Sequence, residues 1–97
     1  MKKELKKGDV ITVIAKRWFE RVNGNTYHSC VVYVNGDLIG EESFTYGYGS
    51  HYIQTAREIL EKIYSTPIEE NQPLWKLKEF GIKLIDSVTD VARKKDL

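Results

Sequence analysis

"VNGNTYHSCVVYVNGD", Val22 to Asp37, sets an Asn-Gly pair on either side of a strand-length run. Asn and Gly both tolerate positive φ, so Asn-Gly flanked by alternating apolar residues is a strong hairpin signal. Between the two turns, Thr26 to Val34 is rich in valine and tyrosine, which suit a pleated, half-buried surface. Two tight turns around one strand predict a three-stranded antiparallel meander, and the rest of the fold is read outward from it.

Alternation assigns the faces. In the central strand Cys30, Val32 and Val34 share one side, and Tyr27, Ser29, Val31 and Tyr33 share the other. Upstream, Val10 to Val22 reads as the first strand. Ile11, Val13, Ala15 and Phe19 form its core side, and Thr12, Ile14, Lys16 and Trp18 its opposite side. Arg17 breaks the apolar series where that strand leaves the core. Downstream, Leu38 to Tyr46 makes a weaker third strand.

At His51 the period changes. Tyr52, Ala56, Ile59, Leu60, Ile63 and Tyr64 recur at three and four, the stripe of an amphipathic helix that Ser65-Thr66-Pro67 ends. Glu58 and Lys62 are spaced for an i,i+4 ion pair on its outer side. Pro73 and Gly81 bracket a short second helix, and Ile82 to Val91 alternates again as a fourth strand. The order β-β-β-α-(α)-β predicts an α+β two-layer sandwich, with an antiparallel sheet of three to four strands and one main helix. The 97 residues form one domain, whose basic ends, 1–8 and 92–97, are expected to fray.

Composition narrows the function classes. Apolar residues make up 41% and charged residues 30%, as in globular proteins, and no apolar run approaches the ~20 residues of a membrane span. Fifteen basic residues against fourteen acidic ones leave a net charge of +1, whereas domains that hold duplex nucleic acid are usually strongly basic. The basic ends would add a modest anion-attracting patch only if they meet on one face. One cysteine gives no internal disulfide, so the cytoplasm is the expected compartment. His28 and Cys30 point the same way along a strand, but the thiol sits among valines, where it is normally inert. One cysteine and two histidines supply no four-ligand zinc pattern. Neither catalysis nor a cofactor or metal is expected.

Two surfaces are candidates for binding. In "SFTYGYGSHYIQTA", Ser43 to Ala56, the residues Tyr46, Gly47, Tyr48, Gly49, Ser50, His51 and Tyr52 meet a helix N-terminus. Unpaired amides there favour an anion, Ser50 can cap the first turn, and the tyrosines offer hydroxyls or a stacking face. That combination suits a small phosphorylated or planar ligand. The competing reading is a strand-to-helix turn that needs glycines for geometry alone; Y-G-Y-G lacks the lysine of a phosphate loop. The second surface is the side carrying Lys16, Trp18, Tyr27 and Tyr33, open if the helix covers the other side. It suits a protein interface, a homo-oligomer among them, more than single-stranded nucleic acid.

The combination KRWF (Lys16–Phe19), NTYHS (Asn25–Ser29), YVNG (Tyr33–Gly36), FTYGYG (Phe44–Gly49) and DVARKKDL (Asp90–Leu97) resembles small accessory proteins of bacteriophages and related mobile elements. The resemblance implies a setting, the cytoplasm of an infected cell, and raises the expectation that the chain binds or inhibits a host protein, including one of a defence system. CVVYVNGDLIGEESF followed by a helix is also similar to the β-β-β-α half of double-stranded-RNA-binding domains. That family opens its last helix with lysines, whereas Gly49 to Ile53 contains none, and Met1–Lys7 is too short for its leading helix. The expected function is therefore a non-enzymatic, homo-oligomeric module acting by occupancy on a host protein or a small phosphorylated ligand, with nucleic-acid binding as the alternative.

Overall fold

The computed structural model describes residues 2–47 and 49–97. Along the chain run β1 (Lys3–Glu4), β2 (Val10–Glu20), β3 (Asn25–Val34), β4 (Asp37–Tyr46), α1 (His51–Glu61), β5 (Tyr64–Ser65), a 3-10 helix (Leu74–Phe80), β6 (Lys83–Val91) and a last 3-10 turn (Lys94–Asp96). The meander is present: β2 pairs antiparallel with β3, and β3 with β4. Gly24 and Gly36 both take positive φ, as does Asn35, so both turns use the geometry their sequence allows. The architecture is α+β.

One expectation about the sheet is corrected. Its order is β4-β3-β2-β6, and β6 runs parallel to β2, so the sheet is mixed rather than antiparallel throughout. The cause is the crossover. A helix following β4 carries the chain back to the end where β4 began, and the next strand then runs in the same direction as β4. Since β2 and β4 are both antiparallel to β3, β6 is parallel to β2.

α1 lies on one face of this sheet. Ile11, Val13, Ala15, Cys30, Val32 and Val34 of β2 and β3 are buried beneath Tyr52, Ile53, Ala56, Ile59 and Leu60 of the helix. Gly40 belongs to the same contact, because a Cβ there would lie 2.6 Å from Cγ2 of Ile59. Phe19, expected in the core, is 55% exposed. Lengths explain why. Eleven helical residues span about 16 Å and eleven strand residues about 36 Å, so the far end of β2 overhangs the helix.

The helix is buried on more of its circumference than its apolar stripe implied. Ile53, Thr55 and Arg57 are also buried: Thr55 faces the sheet and bonds His28, Ile53 lies beside Leu74, and Arg57 is enclosed by the loop of residues 69–72. Arg57 Nη1 donates to the carbonyls of Glu70 and Gln72, and Nη2 to that of Glu69. The ion pair that forms on α1 is Arg57–Glu61, at 3.2 Å, where Glu58–Lys62 was expected. α1 ends at Glu61, before Ser65-Thr66-Pro67, and Tyr64–Ser65 instead pairs in parallel with Lys3–Glu4. The basic head is thus tied to the body, with Leu5 against the core. The tail also turns back: Lys94 Nζ sits 4.7 Å from the centre of the Phe44 ring.

Candidate functional site

The structure sends the residues of the corner in different directions. Tyr46 ends β4 on the side away from α1, with its ring edge-on to Tyr27 at 5.8 Å. Gly47 is buried at φ 155°. Its N–H donates to Thr26 O at 3.0 Å, and a Cβ would strike the His51 ring at 2.5 Å. Tyr48 lies outside the described residues. Gly49 is exposed at φ 62°, and its carbonyl accepts from Arg17 Nη1 at 2.9 Å. Ser50 makes no side-chain cap, so the expected capping role is not taken up. Ser50 and His51 face solvent, along a groove of about 300 Å³ bounded on its other side by Leu74 and Trp75. Tyr52 is buried, its hydroxyl donating to Asp86 Oδ2 at 2.8 Å. Gly47 and Tyr52 therefore turn the corner, and Tyr46 is separated from Ser50 and His51 by the sheet.

Beneath the corner is a buried polar cluster. His28, completely buried, approaches Gly47 O through Nδ1 at 3.3 Å and Thr55 Oγ1 through Nε2 at 2.7 Å. A carbonyl only accepts, so Nδ1 carries the hydrogen and Nε2 accepts from the Thr55 hydroxyl. Loss of hydration depresses the His28 pKa, and the neighbouring His51 ring, 5.6 Å away, adds to that; the Gly47 bond opposes it. Burial pushes the Cys30 thiol up to about 12, and burial together with the Asp86 bond pushes the Tyr52 phenol up to about 12. Thiol, imidazole and phenol are each enclosed, the His28 ring held by Gly47 and Thr55 and the Tyr52 hydroxyl by Asp86.

The other surface is the side of the sheet facing away from α1. Lys16 and Trp18 of β2 and Tyr27 and Tyr33 of β3 lie there, as alternation requires. Trp18 and Tyr27 stack at 5.9 Å, but Tyr33, six residues from Tyr27, is about 20 Å along the strand and belongs to the other end. Phe44 takes its place, stacked on Tyr27 at 4.6 Å with Lys94 over its far side. The result is a file, Trp18–Tyr27–Phe44–Lys94, on the overhanging hairpin end. Lys16 stands further in, bordering a shallow recess with Ile14, Ser29, Val31 and Leu97. Large apolar residues are exposed on this side, with Leu38 at 58%, Tyr46 at 56% and Ile14 and Ile85 at 44% each. Phe44 and Lys94 went unrecognised in the sequence because β4 has two register shifts and the tail's path is not written in any period. Comparison with protein-family models, with curated proteins and with solved structures finds no match.

Proposed function

We propose that the chain is a non-enzymatic binding module that acts by occupancy, gripping a host protein through the outer side of its sheet. The observation that carries this reading is the set of large apolar residues exposed on the side of the sheet away from α1, with Leu38, Ile14 and Ile85 toward one end and Tyr46 beside Tyr27 at the other. Exposed apolar surface of this kind marks partner sites. The likeness to phage accessory proteins supports a partner in the infected cell, a defence component among the candidates.

The geometry favours a protein over nucleic acid. A base needs a free ring face to stack on, whereas Tyr27 is faced by Trp18 on one side and Phe44 on the other, and Phe44 by Lys94. The net charge of +1 points the same way. A small phosphorylated ligand at the corner would meet Ser50 and His51 without Tyr46, and with the Gly49 carbonyl engaged by Arg17.

The test is affinity purification from host lysate with the wild type beside Leu38→Glu and Tyr46→Glu, followed by calorimetry with each purified candidate. One protein bound at fixed stoichiometry, and weakened about tenfold or more by either variant, is the expected result. A partner that binds both variants as tightly as the wild type overturns the reading. A steep loss of affinity between low and moderate salt would instead favour nucleic acid.

A further inference from the structure

The sheet has two unlike edges. β4 is interrupted by two register shifts against β3, between His28 and Cys30 and between Val32 and Tyr33. Such bulges blunt an edge against unwanted pairing. β6 has none: it pairs with β2 in an unbroken register from Lys83 to Val91. Among the described residues its other side has no strand neighbour. The Lys83 N–H points inward, donating to Asp9 O at 2.9 Å. By alternation, the N–H and C=O groups of Leu84, Asp86, Val88 and Asp90 point outward along the free edge. α1 packs mainly over β3 and β4, and the 3-10 helix packs against β6. Among the described residues, however, none of the outward groups of Leu84, Asp86, Val88 or Asp90 enters a backbone hydrogen bond. The tail leaves the edge by turning toward Phe44 on β4.

We propose that β6 pairs with β6 of a second copy, antiparallel about a two-fold axis at Ser87, joining two four-stranded sheets into one. The charges choose both occupant and register. Antiparallel pairing that keeps each face continuous allows shifts of two residues only. With Ser87 opposite itself, Lys83 faces Val91, Leu84 faces Asp90, Ile85 faces Thr89 and Asp86 faces Val88. This is the full-length overlap, and no like charges are opposed in it. A shift of two in one direction sets Asp86 against Asp86; in the other it sets Asp86 against Asp90. Both are destabilising. In the aligned register the carboxylates remain with partners in their own chain, Asp86 with Tyr52 and Asp90 with Arg17. The pairing also extends the outer apolar side across the axis through Ile85. It concerns the strand edge, so it stands or falls apart from the docking reading above.

Sedimentation equilibrium and amide exchange test it together. The wild type is expected to be a dimer in which the outward amides of Asp86 and Val88 are protected. Ser87→Glu and Ser87→Lys each place like charges on the axis at an exposed position and should each weaken association at least tenfold; mixing the two should restore a one-to-one dimer. Val88→Pro removes one outward N–H without touching the β2 ladder and should give a folded monomer. A wild type that stays monomeric at the concentrations used for NMR overturns the proposal. So does a dimer whose Asp86 and Val88 amides exchange freely, or one that survives all three substitutions.

Discussion

With its ring uncharged and bonded to Gly47 and Thr55, His28 makes the fold sensitive to acid. Its folded-state pKa lies below the ordinary 6.5, so the unfolded chain takes up a proton first as pH falls. The stability this group supports is whole above about 6.5 and declines as pH drops from there toward the folded value. His28→Gln should lower the urea midpoint at pH 7 by the equivalent of about 1–2 kcal/mol, for the lost hydrogen bonds. It should also flatten the dependence between pH 6.5 and 5 relative to wild type. Arg57 is the costlier residue to lose. Arg57→Ala leaves Glu61 without its ion pair and the loop carbonyls of residues 69, 70 and 72 without their shared donor. A loss of about 3 kcal/mol in guanidinium unfolding is expected. Arg57→Lys should recover little of it, since an ammonium cannot span three carbonyls and a carboxylate at once. Cys30, buried and with its thiol pushed up to about 12, should react with a disulfide reagent only at the rate at which the protein opens.

At the level of elements, α1 comes close onto β4 through Gly40 and Ile59. Gly40→Ala should cost about 1–3 kcal/mol by overpacking. Combining it with Ile59→Ala, which removes the Cγ2 that the new methyl would strike, should cost less than the two single effects added, a coupling that a double-mutant cycle measures. Much at this scale was legible in the sequence. The Asn-Gly turns fixed β2, β3 and β4 as a meander, the three-four spacing found α1, and Pro73 with Gly81 bracketed the 3-10 helix. Other features were hidden because they arise between elements. The parallel sense of β6 comes from the crossover. The burial of Arg57 comes from a loop, IEENQ, that reads as solvent-exposed but offers its carbonyls to a guanidinium, and that of Thr55 from its bond to His28 across the layers. The bulges of β4 leave no trace in its alternation.

Across the whole molecule, the binding surfaces were only half visible. Alternation put Lys16, Trp18, Tyr27 and Tyr33 on one side, yet which of them meet depends on distance along the strands, and their partners Phe44 and Lys94 come from a bulged strand and a returning tail. The corner that draws the eye, Tyr46 to Tyr52, is divided by the sheet passing through it. The crossover that makes β6 parallel has a kinetic consequence. Arg17 and Asp90, which meet across β2 and β6, are 73 positions apart, whereas the two hairpins close loops of a few residues. Each doubling of a loop adds about 0.6 kcal/mol of closure entropy, so β6 docks at a disadvantage of roughly 2 kcal/mol relative to a ten-residue closure. Val88→Ala should raise the unfolding rate, lifting the unfolding arm of a chevron, and leave the refolding arm unchanged, while Val32→Ala should slow refolding. During synthesis all three strands of the meander are made before the first residue of β6, so both hairpins have their partners while the closing strand is still missing.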